Sequence, residues 1–304
     1  MSRSPAAAPS PQTRRRASTM YLPFAQLDVF APAPFSGNPL AVVFEADSLP
    51  ASRMQEIASW LGLSETTFVM KPGGSGADYR VRIFTPGGEL PFAGHPTLGT
   101  CAAWLLAGGQ PKQRDTVLQE SQLGLVAVRR LEVLAHRAQR LAFAAPDVTI
   151  SAVEPDVLHA VCMALGLSPR QIQASAWLDN GPRWLALWLD SACTVLTLDP
   201  DHATLKTLGV KVGVCGPHPA AHDAAIEVRA FAAATGVLED PVTGSLNASL
   251  AQWLIGLGAL PASYTAAQGT RLARTGRVAI EQDMQGQVWV GGDVQEVMRG
   301  EIAV

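Results

Sequence analysis

The chain carries one order of local patterns twice. Leu-Gly-Leu-Ser occurs at residues 61–64 and again at 165–168, each time at the end of a stretch with apolar residues at helical spacing. Val-Arg-Ile-Phe at 81–84 is matched by Val-Arg-Ala-Phe at 228–231, and the first run alternates as a half-buried strand does. Two matches in the same order indicate a duplicated α+β unit.

A polar turn and a helical pattern follow each of the two strand-like runs. In the first copy the turn at 85–88 ends the strand, and the helix is expected to start near Pro96, a residue suited to the first helical turn. In the second copy the helix is expected to start near Gly244. If these starts face each other across a cleft, their unpaired N–H groups and dipoles favour an anionic small molecule.

The two copies differ directly after Leu-Gly-Leu-Ser, where the first has Glu65 and the second has Pro169. Considered alone, Glu65 is an ordinary solvated carboxylate at a strand end. Its place beside the expected cleft favours a catalytic role instead. A glutamate in a closed, partly apolar pocket has its pKa raised toward neutrality, so it can accept and return a proton.

Length and composition limit the classes of protein. With 304 residues, 48% of them hydrophobic, the chain is long enough for two domains with cores. The net charge of -3 excludes no class of partner, but the lack of a basic stripe with interleaved aromatic residues argues against nucleic acid, and no apolar run reaches membrane-spanning length. The four cysteines form no Cys-x-x-Cys, so neither disulfides nor a zinc site is indicated and a cytoplasmic location is expected.

The predicted organisation has four segments. Residues 1–19 lack an apolar signal region and are expected to be a disordered leader. The first domain is expected at 20–128 and the second at 129–292, with 293–304 returning to the first. The tail is predicted to form two short strands around its paired glycines. Capping boxes at Ser52/Gln55 and Ser151/Glu154 predict two helix starts.

From about Phe24 to the C-terminus, the motifs resemble those of the phenazine-biosynthesis PhzF-like family. They are Asp28-Val29-Phe30 with Gly37-Asn38-Pro39-Leu40-Ala41-Val42, Ser64-Glu65-Thr66-Thr67-Phe68, Phe84-Thr85-Pro86 with Glu89-Leu90-Pro91-Phe92-Ala93-Gly94-His95-Pro96-Thr97, and Glu239-Asp240-Pro241-Val242-Thr243-Gly244-Ser245. The resemblance implies a diaminopimelate-epimerase-like α+β fold, with two similar domains that each wrap a sheet around a central helix. It also implies a site between the domains and a homodimer.

The family resemblance further implies a cofactor-independent isomerase of the dihydro-hydroxyanthranilate type, acting on a small carboxylate. Glu65 would be the general acid/base, with His95 and Asp240 as its neighbours. The substrate-binding turns would contain Gly94, Pro96, Thr97, Gly244 and Ser245. Relatives often have Ala-His where Leu246-Asn247 stand here, and a glycine where Ala273 stands, which puts specificity rather than chemistry in doubt.

Two alternatives to the isomerase remain open. A racemase or epimerase on the same fold needs an acid on each face of the carbon, usually two cysteines, and the turns at 93–94 and 241–242 contain none. A binding protein with a vestigial site is the other. Cys215, His218, His222 and Asp223 resemble a metal cluster, but the intervening prolines break any helix that would align them. No metal is therefore expected. No cofactor is expected either, because the sequence has no phosphate-cradling Gly-rich loop and no Schiff-base context. The physiological substrate stays open.

Overall fold

The structure, a computed structural model, describes residues 20–74, 76–135 and 137–304. The leader expected at 1–19 lies outside the described residues. The described helices are α1 (Ala51–Leu61), α2 (Gly94–Leu106), α3 (Pro155–Leu165), α4 (Ala192–Thr197), α5 (His202–Leu208) and α6 (Gly244–Gly256).

The described strands all belong to one mixed sheet. They are β1 (Tyr21–Val29), β2 (Asn38–Val43), β3 (Thr66–Met70), β4 (Tyr79–Thr85), β5 (Gly88–Leu90), β6 (Thr116–Ser121), β7 (Gly124–Leu134), β8 (Ala138–Ala144), β9 (Thr149–Ser151), β10 (Ile172–Asp179), β11 (Arg183–Leu189), β12 (Val212–Pro217), β13 (Ile226–Ala232), β14 (Val237–Asp240), β15 (Ser263–Gln268), β16 (Gly276–Gln282) and β17 (Val288–Ala303).

Eight of these strands close into a barrel. β1 pairs in antiparallel fashion with both β2 and β17, so the two ends of the sheet meet there. From β2 the barrel continues through β3, β4, β6, β7 and β8, with β2–β3 and β4–β6 as its parallel pairs. β8 then pairs with β17 and completes the closure.

Helix α2 lies inside this barrel and contacts β1, β2, β3, β6, β7, β8 and β17. Its residues 94–103 are all buried, in keeping with a sequence that is apolar or small on every side. A side chain at Gly99 would not fit, because a Cβ there would lie 2.5 Å from Leu40 Cδ2 and 2.8 Å from Val29 Cγ2. Small residues therefore let the helix pass through the barrel.

The second part of the chain arranges β9 to β13, β15, β16 and β17 around α6. Neighbours pair in the order β9, β10, β11, β12, β13, β15, β16, β17, and β11–β12 and β13–β15 are parallel. Helix α6 packs against β10, β16 and β17, and most of its residues are buried. Each central helix is thus enclosed by strands that come from distant parts of the sequence.

The long strand β17 serves both sets of strands. Its residues 288–291 pair with β16, and residues 294–303 pair with β1. The prediction of two short strands around Gly291 and Gly292 is wrong, since one strand runs through both glycines. The reason is packing: a Cβ at Gly291 would lie 2.8 Å from Leu141 O, and one at Gly292 would lie 2.6 Å from Phe30 Cδ1.

The remaining helices cover the outside of the sheet. Helix α1 buries Met54, Ile57 and Ala58 against β3 and β4, and helices α3 to α5 share a separate hydrophobic core with β10 to β13. Helices α1 and α3 both end at a glycine in the left-handed region, Gly62 at φ 66° and Gly166 at φ 67°. None of the described helices combines the length and apolar character needed to cross a membrane.

Both predicted capping boxes are wrong. Helix α1 begins directly after Pro50, and Gln55 Nε2 donates instead to Thr85 O at 2.9 Å. At the second position Ser151 belongs to β9, and Glu154 Oε2 accepts a hydrogen bond of 2.8 Å from Trp177 Nε1. In both cases the side chain expected to cap its own helix, Gln55 or Glu154, instead makes a hydrogen bond to a residue distant in sequence.

Candidate active site

The N-termini of the two central helices touch. Helix α2 starts at Gly94, two residues before the predicted Pro96, and helix α6 starts at Gly244. A Cβ at Gly94 would lie 2.7 Å from the carbonyl carbon and 2.8 Å from the Cα of Gly244, and one at Gly244 would meet His95 N at 2.8 Å. The first-turn N–H groups, which have no partner within a helix, therefore converge on one region.

A small cavity lies beside this contact. Its volume is about 70 Å³, well below the roughly 300–1,000 Å³ usual for small-molecule pockets. Both parts of the chain contribute to it, and a ligand with a six-membered ring requires it to open further. The lining residues are Ser64, Glu65, Thr85, Leu90, Ala93, Pro182, Trp184, Lys211, Ala232, Thr235, Val237, Asp240, Thr243 and Ser245.

Glu65 precedes β3, and its side chain is 14% exposed. Its Oε2 lies 3.3 Å from His95 Nδ1 but has no hydrogen-bond partner among the described residues. Burial raises the pKa of Glu65 well above its ordinary value and the nearby Asp240 raises it further, while Lys211 acts in the opposite direction. The carboxyl therefore holds its proton at pH values where an exposed glutamate is ionised.

His95, in the first turn of α2, is almost fully buried. Burial lowers the pKa of its imidazole to about 3, against a smaller opposing effect of a backbone hydrogen bond at Pro39. The ring is therefore neutral near pH 7, and its contact with Glu65 is not an ion pair. Among the described residues, its Nε2 has no hydrogen-bond partner.

Asp240 ends β14, and three side chains hold its carboxylate. Oδ1 accepts hydrogen bonds from Asn38 Nδ2 at 2.9 Å and Ser64 Oγ at 3.0 Å, and Oδ2 accepts one from Thr243 Oγ1 at 2.6 Å. Burial raises the pKa of Asp240, although these hydrogen bonds and Lys211 lower it. Asp240 is thus a fixed carboxylate between the two parts of the chain.

A buried amide network supports the turn that follows Asp240. Gln268 Nε2 donates to Asp240 O at 3.1 Å, and Gln268 Oε1 accepts from Thr243 N at 3.0 Å and Asn247 Nδ2 at 2.8 Å. Asn247, one of the departures from the family pattern, therefore braces the turn. Leu246 packs against Gly213 and does not line the cavity.

The structure brings some predicted site residues to the cavity and leaves others apart. Glu65, Asp240 and Ser245 line it, His95 contacts Glu65, and Gly94 and Gly244 form the helix contact. Pro96 and Thr97 are buried and are not among the lining residues. The Thr97 hydroxyl donates to Ala93 O at 2.9 Å and accepts from Gln119 Nε2 at 3.2 Å.

Lys211 and Trp184 are two of the lining residues that sequence reasoning missed. Lys211 precedes β12, and its Nζ lies 5.7 Å from the centroid of the Trp184 ring in β11. Neither belongs to a recognisable motif. The available signal was a lysine inside the apolar run at residues 210–214, where a charge is otherwise unfavourable.

The residues considered as a metal cluster do not point their ligand atoms at one common position. His218 Nε2 lies 3.0 Å from Glu227 Oε2 and the ring of His218 stacks on that of His222, whereas Cys215 Sγ points to Leu187 O at 3.7 Å. In the part of the chain that the structure describes, no group of three His, Cys, Asp or Glu side chains is arranged to hold a metal ion.

Two curated relatives match over most of the chain. Trans-2,3-dihydro-3-hydroxyanthranilate isomerase of Pseudomonas chlororaphis is 38% identical, over 74% of this chain and 77% of the relative. Antisense-enhancing sequence 1 of Schizosaccharomyces pombe is 35% identical, over 91% of this chain and 97% of the relative.

Two solved structures agree with the barrel and its central helix. A phenazine biosynthesis protein of the PhzF family from Enterococcus faecalis is 30% identical, with a TM-score of 0.72 over 94% of this chain and 100% of that one. A hydroxyproline epimerase from Agrobacterium vitis has a TM-score of 0.65 at 13% identity, over 93% of each chain, which shows a shared fold alone. The sequence model described as phenazine biosynthesis-like protein matches residues 27–300, and this chain belongs to that family.

Proposed function

We propose that this chain, an isomerase of the phenazine biosynthesis-like family, moves a proton on a small carboxylate substrate with Glu65 as its single general acid/base and without a cofactor. The observation that carries the proposal is the Glu65 carboxyl in the small cavity, whose Oε2 is buried and has no hydrogen-bond partner among the described residues. Relatives named trans-2,3-dihydro-3-hydroxyanthranilate isomerase support that substrate class.

The proposed reaction needs Glu65 in both protonation states. The ionised carboxylate takes a proton from an acidic C–H bond, and the electron pair left behind delocalises into the adjoining double bond. The protonated carboxyl then delivers the proton to another carbon of the conjugated system. The raised pKa supports this cycle because it favours the protonated form of Glu65, which delivers the proton, more than in an exposed glutamate.

Neighbouring groups support the role of Glu65. Asp240, held by three hydrogen bonds, keeps negative charge beside Glu65 and thereby favours the proton on Glu65. Neutral His95 faces Glu65 through Nδ1, and its Nε2, which has no hydrogen-bond partner among the described residues, is available to the substrate. The first-turn N–H groups at Gly94 and Gly244 favour the negative charge that develops as the C–H bond breaks.

The proposal includes two pseudo-symmetric domains with the site between them. One support is a repeated ion pair: Arg82 meets Glu89 through hydrogen bonds of 2.7 and 2.6 Å, and Arg229 meets Glu239 through bonds of 2.9 and 2.8 Å. These arginines occupy equivalent places in the two Val-Arg-x-Phe runs. The contact between the two glycines at the helix starts is the second support.

We also propose a homodimer in the cytoplasm. Exposed Leu125, Leu131 and Val133 on β7 offer an apolar surface for a second copy, and the four cysteines are all free, as in a reducing compartment. Sedimentation velocity should show a dimer, and Leu131→Asp combined with Val133→Asp should shift the protein to the monomer. A wild-type monomer at micromolar concentration contradicts the dimer.

The deciding experiment compares Glu65→Gln with wild type on trans-2,3-dihydro-3-hydroxyanthranilate. The variant should lose at least roughly 10³-fold in kcat and bind the substrate within about threefold of wild type, because only the proton acceptor is removed. Glu56→Gln, an exposed glutamate on α1, is the matched control and should leave kcat unchanged.

An isotope experiment tests whether one base acts. Substrate deuterated at the reacting carbon should return part of its label to the product, because the same carboxyl removes and redelivers it. Full exchange with solvent together with near-normal turnover in Glu65→Gln would remove Glu65 from the mechanism.

A further inference from the structure

Lys211 is the only lysine or arginine among the residues that line the cavity. Its side chain is half-buried, and its ammonium lies on the aromatic face of Trp184. Among the described residues, no carboxylate oxygen lies within the 4.0 Å limit of an ion pair with its Nζ. The ammonium therefore faces a small cavity without a direct partner.

The acidic groups around the cavity explain why an ammonium there would help an anionic ligand to bind. Glu65 and Asp240 are acidic, so an anionic ligand would meet repulsion unless a positive group offsets it. Burial lowers the pKa of Lys211, while the same two carboxyl groups raise it and so favour its charged form. Trp184, on the same wall, has a buried indole N–H with no hydrogen-bond partner among the described residues.

We propose that Lys211 binds the carboxylate of the substrate and thereby sets the preference of this site for acids. The inference rests on the proposed function, and it adds a residue that the family motifs do not contain. Proton removal next to a carboxylate creates a second negative charge, and an ammonium at the carboxylate reduces that cost. Lys211 therefore contributes to both binding and rate, whereas Glu65 alone moves the proton.

The test uses a stable aromatic analogue of the substrate, 3-hydroxyanthranilate, and its neutral methyl ester, with binding measured by calorimetry. Wild type should prefer the acid. Lys211→Met should weaken binding of the acid roughly 10- to 100-fold and leave the ester within about threefold, because one charge-assisted contact is lost. Lys211→Arg should retain most of the affinity for the acid.

Two controls keep the result interpretable. Lys206→Met removes an exposed lysine on α5 and should change neither affinity. Lys211→Gln replaces the ammonium by a polar, neutral group, so it reports the charge even if the methionine variant folds poorly. Circular dichroism and the melting temperature establish folding for each variant.

Several outcomes would overturn the assignment of Lys211. Equal losses for acid and ester would make it a structural residue, and a wild-type protein that binds the acid no better than the ester would remove the carboxylate site. Failure of the proposed isomerisation is a separate result: no turnover, together with an acid preference that disappears in Lys211→Met, would refute the activity and support this inference.

Discussion

The contact between the two helix starts predicts that Gly94→Ala damages both stability and activity. The new Cβ would lie 2.7 Å from Gly244 C and 2.7 Å from Phe143 Cζ, and ordinary contacts begin at 3.4 Å, so the surroundings must move by 3.4 - 2.7, about 0.7 Å. Backbone on one side and a packed ring on the other leave little room to relax. Overpacking of this kind costs about 1–3 kcal/mol of unfolding free energy.

The same shift should slow the reaction. Gly94 is bonded to His95, whose Nδ1 lies 3.3 Å from Glu65 Oε2, so the displacement reaches the acid/base directly. Since a misplacement of about 1 Å can cost about 10²-fold in rate, we expect kcat/KM to fall roughly 10- to 100-fold. Urea unfolding and steady-state kinetics measure the two effects.

Gly256→Ala provides the matched control for this prediction. Gly256 ends α6 and is exposed, and a Cβ at this position would meet no heavy atom within 4 Å. Alanine there should stabilise the protein by up to about 1 kcal/mol and leave activity unchanged. A Gly94→Ala protein with the stability and activity of wild type would refute the reasoning that the helix contact sets the geometry of the site.

Three further predictions concern stability. Ala273 adopts φ 55° and ψ 36°, so Ala273→Gly should raise the unfolding free energy by about 0.5–1 kcal/mol in urea titrations. Because the pKa of Glu65 is raised on folding, its contribution to the unfolding free energy declines as the pH rises above 4.5. The unfolding free energy of Glu65→Gln should therefore increase relative to that of wild type as the pH rises from 4 to 8. Because folding lowers the pKa of His95 to about 3, its contribution to the unfolding free energy is lost as the pH falls from 6.5 toward 3. His95→Asn should therefore lose less unfolding free energy over that range than wild type does. Unchanged profiles of unfolding free energy against pH would contradict the predictions for Glu65 and His95.

The local sequence pattern predicted the fold correctly where a given residue type suits one backbone conformation, such as glycine at positive φ. The strand-like run at residues 81–84 lies within β4, and the glycines of the two Leu-Gly-Leu-Ser matches, Gly62 and Gly166, end α1 and α3 at positive φ. The helix start at Pro96 was placed two residues late, because a proline fits more than one position of a first turn while the chain already turns helical at Gly94.

The supporting contacts of the site could not be predicted from local pattern. The hydrogen bond from Asn38 to Asp240 joins residues 202 positions apart, and Lys211 reaches the cavity only because β12 lies next to β11 and Trp184. Family motifs pointed to Glu65, His95 and Asp240 but carried no information about Lys211. Its role depends on the path of the chain through space.

The shared strand β17 has a consequence for how the protein folds. Tyr21 pairs with Ala303, so β17, which is synthesised after all the other described strands, is the strand that closes the barrel. The chain between β1 and β17 must lose conformational entropy to bring these strands together before the contacts between them stabilise the pairing. This cost slows folding. Until then the edges of β1 and β8 are open to pairing with other chains. Nascent chains stalled before β17 should therefore bind chaperones and aggregate, whereas completed chains fold to the closed sheet.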